Sequence, residues 1–84
     1  MRKKVKYLTI TVRDVAMASA GTKECPIAQC AKRTGLDEDP CAGIMNARIG
    51  LYIWGYSRRL KDEVFRFDVG RGFRPGRYQI WRFV

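Results

Sequence analysis

The chain is expected to form a single α+β domain: a three-stranded sheet with one face covered by two or three short helices. Three observations predict this. Two well-separated segments alternate apolar and polar residues with the period of a strand. Between them lies a segment with a proline start, a small-residue face and a glycine stop, which reads as a helix. At 84 residues and 46% hydrophobic, the chain is long enough for one modest core and too apolar for a disordered basic tail.

The first strand is read over Val5 to Val12. Leu8, Ile10 and Val12 share one face, and Tyr7, Thr9 and Thr11 the other. Asp14 is expected to cap a short helical turn over Val15 to Ala18, ended by Gly21. Cys25 to Arg33 is predicted to be a helix of two to three turns. Pro26 stands at its first position, and Ile27, Cys30 and Ala31 lie on one face. Lys32 and Arg33 sit where the helix dipole favours cations, and Gly35 stands just past the end. Asp37 to Pro40 reads as an acidic surface turn.

Met45 to Trp54 reads as one central strand. Met45, Ala47, Ile49, Leu51 and Ile53 alternate with Asn46, Arg48, Gly50, Tyr52 and Trp54. Leu60 to Asp68 is read as a helix because Leu60, Val64 and Phe67 recur at helical spacing and Gly70 follows, although Val64 to Val69 also alternates like a strand. Asp62 and Glu63 are placed in its first turn. Gly70 to Gly76 is a loop, and Arg77 to Val84 a final strand rich in aromatic and β-branched residues.

Charge is the strongest functional signal. Seventeen Lys and Arg face eight Asp and Glu, a formal net charge of +9, and histidine is absent. This points to an anionic partner: DNA, RNA, a nucleoprotein or an acidic protein surface. The basic residues crowd at the two ends, which form one basic surface if they lie side by side. The candidate anion or nucleic-acid contacts are Arg48, Arg58, Arg59, Arg71, Arg74, Arg77 and Arg82. Arg71, Arg74 and Arg77 are punctuated by Gly70, Gly72, Pro75 and Gly76, but the Gly-Lys-Ser/Thr ending of a phosphate-binding loop is lacking. Tyr52, Trp54 and Trp81 are the candidate stacking or interface residues. Such rings, together with Tyr7, Thr9 and Thr11 on an open sheet face, fit a thin core first, then a protein or homodimer contact, then a nucleic-acid platform.

Nothing points to an enzyme. Cys25, Cys30 and Cys41 are an odd number, and without histidine a tetrahedral zinc site needs a carboxylate such as Asp39. Cys25 precedes a helix whose dipole lowers a thiol pKa, yet no histidine stands as its base. Cys30 is expected to be a buried small apolar group. No catalytic residue, cofactor or metal is therefore expected, nor a membrane span or secretory signal. Cytoplasmic residence is the default expectation.

A resemblance adds to this reading. Ile10-Thr11-Val12 with Asp14, then Gly21, Cys25-Pro26-Ile27-Ala28 with Ala31, and Phe67-Asp68-Val69-Gly70 before Arg71, Pro75 and an aromatic strand span nearly the whole chain. In this set of anchors the chain resembles a family of small, mostly uncharacterised bacteriophage and prophage proteins. The resemblance implies a helix ending at the Phe-Asp-x-Gly segment and carries no activity. Gln29 and Cys30 inside the motif and the high basicity depart from the family pattern. A phage origin implies the host cytoplasm and a non-enzymatic role in which the basic surface engages a host protein or nucleoprotein. An inhibitor of a defence system is one version, by analogy of size and origin. The alternatives are direct DNA or RNA binding through Arg, Lys and sheet aromatics, and a structural homodimer.

Overall fold

A computed structural model describes residues 2–84. The fold is α+β, but its sheet has five antiparallel strands, not three, and three helices accompany it. Strand β1 (Lys3–Ile10) leads into helix α1 (Val12–Ala16) and helix α2 (Pro26–Arg33). Strands β2 (Cys41–Ala42), β3 (Asn46–Ile49) and β4 (Tyr52–Tyr56) follow, then helix α3 (Arg58–Asp68) and strand β5 (Gly76–Phe83). The strand order is β1-β5-β4-β3-β2.

The extra strands come from one turn. The expected Met45–Trp54 strand folds back at Gly50-Leu51, so that Ile49 pairs with Tyr52 and Ala47 with Trp54. Gly50 takes a φ of 65°, which a glycine at the first centre of a two-residue hairpin turn adopts without a Cβ clash. The Asp37 carboxylate accepts the Gly50 N–H at 2.8 Å and the Asp39 N–H at 2.9 Å, tying the acidic loop to the turn. These two N–H bonds hold the Asp37 carboxyl below its ordinary pKa. A two-residue turn also reverses face parity: Tyr52 and Trp54 join the side of Ala47 and Ile49, and Ile53 joins the side of Arg48.

Two further boundaries differ from expectation. β1 ends at Ile10, and Thr11, not Asp14, is the cap of α1. The Thr11 hydroxyl accepts the Asp14 N–H and the Asp14 carboxylate accepts the Thr11 N–H, a reciprocal capping box. Val12 is therefore helical and 72% exposed instead of facing inward with Leu8 and Ile10. Helix α3 begins at Arg58 behind the cap Ser57, which puts Asp62 and Glu63 beyond the first turn.

The core lies between one face of the sheet and the helices. Leu8, Ile10, Trp54, Tyr56, Tyr78 and Ile80 meet Ile27, Cys30, Ala31, Leu60 and Val64. Pro26 opens α2 as the sequence indicates. α2 and α3 end alike. Leu36 N–H reaches back to the Ala31 carbonyl and Arg71 N–H to the Arg66 carbonyl, with Gly35 and Gly70 at positive φ between. No helix among the described residues is long and apolar enough to cross a membrane.

Candidate nucleic-acid interface

The pairing of β1 with β5 along their whole length brings the two basic ends of the chain together. Opposite pairs are Lys3 with Phe83, Val5 with Trp81, Tyr7 with Gln79 and Thr9 with Arg77, all on the side of the sheet away from the helices. Gly55 stands beside Trp81 on the same side, with Ile53, Asn46 and Arg48 farther along. No carboxylate stands at any strand position of this face.

Aromatic rings and cations alternate along this ribbon. The Arg77 guanidinium lies 4.0 Å from the centre of the Tyr7 ring, and Lys3 Nζ lies 4.6 Å from that of Trp81. Phe83 meets Trp81 edge-to-face at 5.1 Å. The Trp81 indole packs against Gly55: a Cβ added there would stand 3.0 Å from Trp81 Cε2. This glycine is thus the seat that lets a large ring rest on the sheet. Tyr7 is 50% exposed and Phe83 52%. In the register Tyr7 is the diagonal neighbour of Trp81, about 7–8 Å away. Arg59, at the start of α3, joins this end of the ribbon in a shallow recess with Ser57, Tyr7, Arg77 and Gln79.

The remaining candidates have other neighbours. Arg74 is committed to Glu63: its Nη2 lies 2.7 Å from one carboxylate oxygen, and its backbone N–H and Nε donate to the same carboxylate at 2.8 Å. Burial pushes Glu63 up, but these bonds outweigh it and hold its carboxyl below the ordinary value. Arg71 is exposed beyond α3, where its carbonyl accepts from Arg66. Arg71, Arg74 and Arg77 thus have three different neighbours and line no shared phosphate cradle. Arg48 donates to the Asp39 carbonyl at 2.7 Å and lies 3.5 Å from Asp37. Arg58 is exposed at the first position of α3. Arg59 also stacks on Tyr78 at 4.8 Å. Tyr52, Trp54 and Arg82 lie on the opposite side of the sheet from Trp81, so the three candidate aromatics do not form one patch. Trp54 is only 4% exposed.

Two residues that matter on this face, Lys3 and Phe83, do not stand out in the sequence. Their signal is the alternation of Lys3-Val5-Tyr7 against Arg77-Gln79-Trp81-Phe83, which acquires meaning only once the two segments are known to pair.

The thiols are quiet. Burial pushes Cys30 up to about 11, and its Sγ lies 3.4 Å from the Thr9 carbonyl. Burial also raises Cys25, outweighing the helix-start N–H groups that were expected to lower it. All three cysteines are free, and no cluster of metal-ligating side chains occurs among the described residues. A mostly apolar recess of about 180 Å³ beside Cys25, Ile27, Phe67 and Phe73 has Asp68 as its one charged lining residue. Comparison with family models, with curated proteins and with solved structures finds no match.

Proposed function

We propose that this protein is a non-enzymatic nucleic-acid-binding module that holds single-stranded RNA or DNA on the β1–β5 ribbon. One observation carries the reading: a sheet face on which exposed rings are interleaved with Lys3 and Arg77 and on which no carboxylate stands. Rings on an antiparallel sheet stack unpaired bases without regard to sequence, and the cations between them take the phosphates. Duplexes keep their bases stacked internally and use such rings poorly.

The test is fluorescence anisotropy with one labelled oligonucleotide, as RNA and as DNA, single-stranded and annealed, over a salt series. Single strands bind more tightly than duplex, the emission of Trp81 changes on binding, and log affinity falls linearly with log salt. Absence of binding to every form at low salt would overturn the reading.

A second reading keeps the face and changes the partner. Ile53, 64% exposed, and Val5, 42% exposed, extend the ribbon with aliphatic surface that a protein covers better than a base does. A host protein or nucleoprotein, the kind of target suggested by the resemblance to small phage proteins, fits that surface. Capture from bacterial lysate with and without nuclease separates the two readings: a partner retained after nuclease treatment supports the second.

A further inference from the structure

The helices leave one end of the sheet's inner side uncovered. Lys4 and Lys6 of β1, Arg82 of β5 and Tyr52 and Trp54 of β4 border a hollow of about 230 Å³ there. The register produces the cluster: Lys4 pairs with Arg82, and Lys6 is the next inward-facing residue along β1. The Arg82 guanidinium lies 3.6 Å from the centre of the Tyr52 ring and 5.4 Å from that of Trp54. Lys6 Nζ lies 5.6 Å from the Trp54 ring.

Arg82 and Lys6 therefore lie over two rings with Lys4 on the same rim, and no residue bordering the hollow is acidic. None of the three forms an ion pair with a carboxylate among the described residues. Arg82 Nε is buried and lacks a hydrogen-bond partner. A buried donor left unpartnered is costly, and like charges held close repel. The repulsion is relieved by one kind of ligand: a compact, multiply charged anion with several acceptor oxygens. A phosphate matches the guanidinium fork and takes lysine ammonium groups as point charges. Leu36, Ile49 and Leu51 supply apolar wall beside it, where the ring of a nucleotide would lie.

We propose that this hollow is a phosphate-binding site that takes the phosphate group of a nucleotide. It lies on the opposite side of the sheet from the Tyr7–Trp81 ribbon and does not depend on strand binding there. The phosphate comes either from a free nucleotide or from the phosphorylated end of a strand.

The probe is Trp54 emission in a Trp81→Phe background. It is titrated with inorganic phosphate, adenosine monophosphate and adenosine, and with 5′-phosphorylated and 5′-hydroxyl forms of one oligonucleotide. Phosphate and the monophosphate give saturable changes, and adenosine gives none. Combining Lys4→Gln with Lys6→Gln weakens monophosphate binding by roughly tenfold or more. Arg82→Lys, which keeps the charge and removes the fork, weakens it as well. Thermal melting of each variant verifies that it folds. Tighter binding of the phosphorylated oligonucleotide identifies a strand end as the source, and equal binding of the two oligonucleotides identifies a free nucleotide. A response to adenosine equal to that of the monophosphate would overturn the proposal. So would no saturable response to either phosphate compound, or unchanged affinity in the folded Lys4/Lys6 variant. A Tyr7→Ala variant tested on the unphosphorylated strand reports on the ribbon alone, so failure of one site is distinguishable from failure of the other.

Discussion

The helical layer and the β1–β5 ribbon use arginine in opposite ways. In the helical layer each buried carboxylate has its own guanidinium. Arg33 meets Asp14 at 2.8 Å and Arg74 meets Glu63 at 2.7 Å, and both acids are almost fully buried. On the ribbon Arg77 rests on a ring with Lys3 farther along, and on the other side of the same two strands Arg82 rests on a ring with Lys4 and Lys6 beside it; none of the five forms an ion pair with an acid among the described residues. The first pairing closes the structure: the ion pairs fasten α1 to α2 and α3 to the loop before β5. The second leaves positive charge without a carboxylate partner. A count of basic residues merges the two populations, although only the first is already paired with buried acids.

This contrast separates binding from stability, and substitutions should do the same. The largest effect is expected from removing two rings of the ribbon. Each ring–base stack contributes about 1–3 kcal/mol. Tyr7→Ala with Trp81→Ala should therefore weaken single-strand binding by roughly a hundredfold, measured by anisotropy, while melting shifts little. The converse is Ala31→Leu. Ala31 is fully buried where α2 packs on the sheet, so the larger side chain should cost about 1–3 kcal/mol in denaturant titration and leave strand affinity as it was.

Smaller effects are expected from the ion pairs. Arg74→Gln should lower the melting temperature without changing strand affinity. Acid titration sharpens the point. Asp14 and Glu63 have folded pKa values below their ordinary 3.8 and 4.5, because hydrogen bonds from Arg33, Thr11 and Arg74 outweigh the upward push of burial. A depressed carboxyl contributes its stability above the unfolded pKa and loses it as pH falls through the folded one. Stability should hold from neutral pH to the ordinary carboxylate range and drop below it, and the drop should be shallower in Arg74→Gln. A melting series against pH measures this. An unchanged acid limb in Arg74→Gln would show that Glu63 does not depend on Arg74.

What the sequence made legible was local. Pro26, the small face of α2 and Gly35 specify that helix within ten residues, and the Leu60–Val64–Phe67 spacing specifies α3. Both stand where the sequence places them, apart from two residues at the start of α3. The sheet was legible only in part, because its pairing is not local. The alternation of residues 45 to 54 continues through Gly50 without a break in pattern, which hides a two-residue turn that inverts every face after it. That inversion moved Trp54 from the exposed side into the core and put Ile53 outside. The signal was present in Gly50 itself, a glycine inside a strand pattern, and in Thr11-x-x-Asp14, a capping box at the end of the first strand. For the candidate site, the arginines and rings were visible as residue types. Which of them already held a carboxylate, and which side of the sheet each ring took, depended on the register of β1 with β5.

The most direct measurement is the salt dependence of single-strand binding in two variants that remove equal charge. One is Lys3→Gln with Arg77→Gln, from the ribbon. The other is Arg33→Gln with Arg74→Gln, from the ion pairs, studied where melting shows it folded. The slope of log affinity against log salt changes by about 0.7 for each single-strand phosphate that the protein no longer neutralises. The ribbon variant should reduce the steepness by about 1.4, and the ion-pair variant should retain the parent slope. Equal slopes in the two variants, or a larger reduction in the ion-pair variant, would contradict the division between closed and open charge.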